Sequence, residues 1–194
     1  SYGYNNSVGG TGQLLLGGTS NSVYKNIFIM SNSAHKANYM TSISAGNIGW
    51  LRMNCYGETY VEHLIISNNY TSTGQGVYIN FTGDRPPTNL IYFKNTHFVN
   101  NTLGTPAQNE SPVFTLNMTA PNAQLKVLFE NFIIKYNTNG FNGHILDMSV
   151  LHNTTFKNMF VFANQHKSSE LFTKFRLAGS SSIENSLFYT LRYT

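Results

Sequence analysis

Eight acids and six histidines are the groups with which this chain could do acid–base or metal chemistry. Hydrolysis of a glycosidic bond needs two carboxylates a few ångströms apart. A calcium-assisted elimination needs clustered Asp oxygens beside an Arg or Lys base. Glu62, Glu130 and Glu184 recur at one position of a repeat described below, which leaves Glu58, Asp84, Glu110, Asp147 and Glu170 free. No two of these five share an equivalent position in neighbouring repeats, and no Asp cluster exists. The nearest approach, Asp84-Arg85-Pro86-Pro87, reads as a turn between strands. The histidines, at 35, 63, 97, 144, 152 and 166, show no metal-ligand spacing. Cys55 is the only cysteine, so no disulfide closes within the chain. It reads as a small buried hydrophobe, with a thiol bond between chains as the sharper alternative. Trp50 and the tyrosines offer faces for stacking on a sugar or for packing within a core. The expectation is no catalytic residue, no cofactor and no metal; the balance is against an enzyme without closing the question.

The elements that would position such groups are β-strands. Only 10% of residues are charged, against roughly a quarter in ordinary soluble domains. Asn, Ser, Thr, Gly and aromatic residues are abundant, and 41% of the chain is hydrophobic, enough to fold. The net charge of +4 is scattered, with no basic stripe to track a phosphate backbone, so nucleic acid is not an expected partner. No run of some 18 apolar residues crosses a membrane. The chain starts at Ser1 and stops at Thr194 within an apolar-rich segment, which reads as a processed product or a slice of something larger.

A repeat organises the sequence. Tyr24-Lys25-Asn26, Val61-Glu62-His63, Phe93-Lys94-Asn95, Phe129-Glu130-Asn131, Phe156-Lys157-Asn158 and Ile183-Glu184-Asn185 each read apolar, charged, then Asn or His. Three residues further on stands an apolar side chain: Ile29, Ile66, Phe98, Ile134, Val161, Phe188. Six residues on, Asn returns at Asn32, Asn69, Asn101, Asn137 and Asn164, and Leu191 breaks the series. The anchors recur at intervals of 37, 32, 36, 27 and 27 residues. A fixed motif at a varying period means a constant strand joined by loops of changing length, which is how solenoids accept insertions. Second apolar runs follow at Val77-Tyr78-Ile79, Val113-Phe114, Ile145-Leu146 and Leu171-Phe172, while Leu90-Ile91 and 124–128 leave room for a third strand. The expected fold is all-β: a right-handed parallel β-helix of about six coils with two to three strands per coil. Residues 1–23 form an N-terminal segment, a first coil or a cap, and residues 24–194 form the repeats.

The charged position reads Lys25, Glu62, Lys94, Glu130, Lys157, Glu184, alternating in sign. In-register parallel strands stack equivalent residues about 4.8 Å apart, so alternation turns a repulsive column into a ladder of ion pairs. Each exposed pair is worth only ~0.2–1 kcal/mol, and the larger effect expected is on register. The two Asn columns, Asn26, Asn95, Asn131, Asn158 and Asn185 with Asn32, Asn69, Asn101, Asn137 and Asn164, read as hydrogen-bonded turn ladders.

The strings FKNTHFVNN (93–101), FENFIIKYN (129–137) and FKNMFVFAN (156–164), with GQGVYI (74–79) and FNGHIL (141–146), resemble the repeats of polymorphic-membrane-protein-type surface β-helices. More loosely they resemble the pectate-lyase-like superfamily. The resemblance implies an extracellular or cell- or virion-surface protein that adheres, spaces or coats, and that forms a rod or a repeating unit of a larger assembly. The same architecture also serves phage tail spikes, polysaccharide lyases and glycan-binding modules, which stand as the alternatives. Expected partners are other subunits, or a continuation of the chain, stacked on the solenoid ends, and a surface glycan. Asn-x-Ser/Thr sequons stand at Asn5, Asn69, Asn80, Asn100, Asn109, Asn117 and Asn153. Asn69 falls in an Asn column and is a poor acceptor if that column is buried; Asn109, in a Pro- and Gly-containing loop, is the best.

Overall fold

The structure is a computed structural model. It describes residues 2–4, 7–9, 14–18, 22–31, 33–35, 50–55, 58–71, 76–81, 90–103, 114–118, 126–139, 145–166, 173–178 and 180–192. In chain order the strands are β1 (Tyr2–Tyr4), β2 (Ser7–Gly9), β3 (Leu14–Gly18), β4 (Ser22–Met30), β5 (Ser33–His35), β6 (Leu51–Cys55), β7 (Thr59–Ser67), β8 (Tyr70–Thr71) and β9 (Val77–Phe81). They continue as β10 (Leu90–Val99), β11 (Thr102–Leu103), β12 (Phe114–Met118), β13 (Lys126–Lys135), β14 (Thr138–Asn139), β15 (Leu146–His152), β16 (Thr154–His166), β17 (Thr173–Ala178), β18 (Ser182–Glu184) and β19 (Leu187–Arg192). No helix occurs among the described residues.

Among the described residues every pairing is parallel, and from β1 to β13 each strand lies beside the one three later. β1, β4, β7, β10, β13 and β16 form one series, and β3, β6, β9, β12, β15 and β17 form a separate sheet. The short strands β2, β5, β8, β11 and β14 form the third series, joined to the first because β16 runs on through both. The sheet therefore curls, and the architecture is β-solenoid-like.

One backbone conformation marks the bends. Along β10 the side chains of Ile91 and Phe93 are buried and those of Tyr92 and Lys94 face out, as a period of two demands. The phase then slips: Lys94 and Asn95 both face outward and Thr96 is buried. Asn95 has φ 53°, in the left-handed region, as do Asn26, His63, Asn131, Asn158 and Asn185 at φ 48–58°. Asn is several-fold enriched there, as is His, because a short polar side chain tolerates the conformation. The pairing register skips this residue on each strand: Lys94 lies opposite Glu130 and Thr96 opposite Phe132. A second left-handed residue, at φ 51–57°, follows five positions later at Ser31, Asn68, Asn100, Tyr136 and Ala163.

Inside the curl, equivalent residues stack. Phe93, Phe129 and Phe156 lie nearly parallel, with ring centroids 5.0 and 4.9 Å apart. Phe132 meets Phe98 and Phe129 edge-on. Val61, Leu64, Ile66, Ile134 and Val161 complete that wall, and Leu51, Met53, Val77, Ile79, Leu146 and Met148 form the wall of the other sheet.

Two sequence expectations are corrected. Leu90-Ile91 does not begin a third strand; it leads straight into the anchor strand β10. Lys126 to Leu128 does the same in β13, with 124 and 125 outside the described residues. The third series is instead the two- or three-residue strands β2, β5, β8, β11 and β14, too short to leave a periodic signal; β8, β11 and β14 each follow a buried Asn.

Candidate functional site

The six charged positions of the repeat lie in one continuous register. Lys25 is opposite Glu62, Glu62 opposite Lys94, Lys94 opposite Glu130, Glu130 opposite Lys157 and Lys157 opposite Glu184. Ion pairs close at both ends of the column: Lys25 Nζ stands 3.3 Å from Glu62 Oε2, and Lys157 Nζ 3.9 Å from Glu184 Oε2. In the middle, Glu130 accepts a hydrogen bond from the Tyr92 hydroxyl. Burial, followed by the Glu130 carboxylate, pushes the Tyr92 phenol well above its usual range. Tyr92 meets Tyr60 edge-on at 5.1 Å, and the Lys25 ammonium lies over the Tyr60 ring at 5.6 Å. Sequence reasoning missed this tyrosine pair, although both residues stand two positions before a charged residue of the repeat.

The two Asn columns have different surroundings. At the first corner, Asn158 donates to Asn131 at 3.0 Å and Asn131 to Asn95 at 2.9 Å. Asn95 approaches His63 Nε2 at 3.5 Å. Asn26 and Asn185 are exposed at the same corner. The column of Asn69, Asn101, Asn137 and Asn164 is not at a turn apex but one residue beyond it, pointing inward, with Asn69 2% exposed and the others no more. There Asn69 donates to Asn101, Asn101 to Asn137 and Asn137 to Asn164, each at 2.9 Å. The backbone N–H groups of Asn69, Asn101 and Asn137 donate to the same oxygens at 2.9–3.0 Å. Each amide's second hydrogen reaches a carbonyl one strand back: Ile29, Ile66, Phe98 and Ile134 at 2.9–3.0 Å. Donation runs toward higher numbers in this column and toward lower numbers at the corner. Leu191 does not lie opposite Asn164, because β19 passes Ala163 with one residue fewer and sets Thr190 there. Asn32 lies outside the described residues.

Of the acids left free by the repeat, only Glu58 and Asp147 lie among the described residues. Glu58 is exposed at the start of β7, and Asp147 lies in β15 with only its backbone described. Asp84, Glu110 and Glu170 lie outside the described residues. No group of three or more His, Cys, Asp or Glu able to hold a metal occurs among the described residues. His97 faces outward between Ile65 and Ile133, and its pKa is lowered by burial, then by Lys135 and His63. Trp50 is 3% exposed and belongs to the core, which removes it as a sugar platform. Cys55 pairs its backbone with Gly18 and Phe81, and its thiol lies outside what is described.

Among the sequons, Asn100 is exposed, with its amide donating to Asn68 at 2.7 Å. Asn153 is half-buried and accepts from the Ser180 N–H at 3.3 Å. Asn80 and Asn117 lie opposite each other in β9 and β12, described by backbone alone. Asn5 and Asn109 lie outside the described residues. Asn69, walled in by its ladder, leaves no room for a glycan. No family model matches the chain, and no curated protein and no solved structure matches it.

Proposed function

We propose that this chain is a structural segment of a right-handed parallel β-helix. It has about six coils of three strands and works outside the cell, or on a cell or virion surface, as a spacer or adhesive unit continued at its ends by other strands. One observation carries the reading: among the described residues, the polar side chains of the repeat are engaged with their counterparts in neighbouring strands. Each interior Asn of the ladder shares its amide with neighbouring coils, Glu62 and Glu184 hold lysines, and Glu130 holds Tyr92. At about 4.8 Å per rung, six rungs rise only about 29 Å, so reach must come from further rungs. Solenoid ends expose strand edges that have to be paired or covered, which is why partners are sought there. Exposed Asn100 is the described sequon best able to carry a glycan.

A carbohydrate-active or glycan-binding face is the second reading. It is favoured by the Tyr60–Tyr92 pair on the outward face, in the column beside Glu62 and Glu130, with the Tyr92 hydroxyl on Glu130. The discriminating experiment incubates the chain with a panel of neutral and acidic polysaccharides and follows reducing ends, unsaturated products and binding. The structural reading expects no reducing ends, no unsaturated products and no binding that depends on Tyr60. Turnover that disappears in Glu130→Gln, or binding that disappears in Tyr60→Ala, would replace it with the second.

A further inference from the structure

Tyr60 and Tyr92 stand at the same position of adjacent rungs, opposite each other in the register of β7 and β10. Among the described residues no other two tyrosines are paired in this way. Their rings meet edge-on with centroids 5.1 Å apart, and both are partly exposed on the outward face. The surroundings of the two phenols differ. The Tyr92 hydroxyl donates to Glu130 Oε2, and burial together with that carboxylate keeps the phenol protonated across the ordinary pH range. Tyr92 therefore loses an electron and a proton together, with the acceptor for the proton already in place. The Lys25 ammonium lies over the Tyr60 ring at 5.6 Å. A positive charge there holds the ring's electrons more tightly, so the first electron leaves Tyr92.

We propose that Tyr60 and Tyr92 form an oxidative cross-linking site, at which a one-electron oxidant generated from hydrogen peroxide joins neighbouring rungs through a dityrosine bond. Each phenol gives up one electron and its hydroxyl proton; the proton of Tyr92 goes to Glu130 and that of Tyr60 to water. The two phenoxyl radicals couple through a new bond between one Cε atom of each ring. The hydrogen on each of those carbons then moves to oxygen and restores the phenol. The chain loses two hydrogens in all, and one hydrogen peroxide takes up the two electrons and two protons to become two waters. Paired strands already lie about 4.8 Å apart, so coupling needs only a turn of the rings about their own side-chain bonds. The two positions are 32 residues apart, and a covalent bridge across that loop restricts the unfolded chain. Such a site deepens the structural reading, because it would fix a register that exposed ion pairs hold weakly. Polysaccharide turnover in the assay above would sink that reading without touching the cross-link.

The test treats the full 194-residue chain, dilute enough that chains do not couple to one another, with a peroxidase and hydrogen peroxide. Dityrosine fluorescence, intact mass and the cross-linked peptides are followed. The expected product is a single chain two hydrogens lighter, joined at Tyr60 and Tyr92 in preference to any other of the 12 tyrosines, with a raised urea midpoint. Tyr60→Phe and Tyr92→Phe keep the ring packing, which their own urea midpoints check, and each should abolish that product. Glu130→Gln still accepts a hydrogen bond but takes no proton, and should slow the reaction about tenfold. Dityrosine between other residues, a product that survives either Phe variant, an unaltered rate in Glu130→Gln, or no product where free tyrosine couples would each overturn the proposal.

Discussion

A buried amide is stable only when its hydrogens and oxygen are all placed, and Asn101 places them without recourse to water. It donates to Ile66 O and Asn137 Oδ1, while its own oxygen takes two donors from Asn69. Truncation leaves several buried groups unpaired at ~1–3 kcal/mol each, so Asn101→Ala should destabilise the chain by at least about 3 kcal/mol, read from urea unfolding. Thr96 is the reverse case: fully buried between Leu64 and Phe132, its hydroxyl finds no partner among the described residues. Thr96→Val keeps the shape and removes the orphan, and should raise stability by about 1 kcal/mol in the same assay. His97 adds a pH dependence. Its folded pKa lies below the unfolded value, so the unfolded state binds more protons as pH falls through about 6.5. Its contribution is complete above that pH and is lost below it, and His97→Ile, matching Ile65 and Ile133, should flatten that part of the stability–pH curve. An unchanged curve would mean that another group sets it.

The corners decide how the strands curl, and they were unequally legible. At the first corner the chain uses Asn or His six times, residues suited to φ near +55°, so the repeat could be read before any coordinates. The second corner has the same conformation in Ser31, Asn68, Asn100, Tyr136 and Ala163. Tyr and Ala have no preference for it; the stacked neighbours and the buried Asn that follows impose it. Hence the sequence announced the Asn ladder but not the left-handed residue before it, and left open that the ladder faces the core. The two-residue strands beyond, such as Thr102–Leu103, are likewise set by pairing with their neighbours and not by any local pattern. Left-handed backbone costs ~1–2 kcal/mol for a residue with a Cβ. Ala163→Gly should therefore stabilise the chain by up to about 1 kcal/mol, after the greater unfolded-state entropy of Gly is deducted. Asn131→Ala, which also breaks two corner hydrogen bonds, should destabilise it by about 1–2 kcal/mol. Thermal unfolding of the pair distinguishes strain at the corner from tolerance: equal and small shifts would mean that the corners carry none.

Across the whole molecule, the strands share one direction and similar inward residues, so hydrophobic burial alone distinguishes poorly between neighbouring rungs. Phe93, Phe129 and Phe156 would stack almost as well one rung out of place. The charged column does distinguish them, because a slip of one rung sets Lys beside Lys and Glu beside Glu along the whole face. Lys94 tests this, standing between Glu62 and Glu130 in the register. Lys94→Glu makes three consecutive acids about 4.8 Å apart without disturbing a buried residue. The expected loss is about 1–2 kcal/mol in dilute buffer, twice the worth of an exposed pair because attraction is replaced by repulsion. Most of it should return in 1 M salt, where the screening length falls to about 3 Å. Lys94→Gln, which removes the charge without reversing it, should lose less than half as much and respond more weakly to salt. Urea midpoints of the three proteins across a salt series decide the matter. If Lys94→Glu and Lys94→Gln are displaced equally and neither recovers in salt, the alternation of sign along the column contributes nothing to holding the rungs in register.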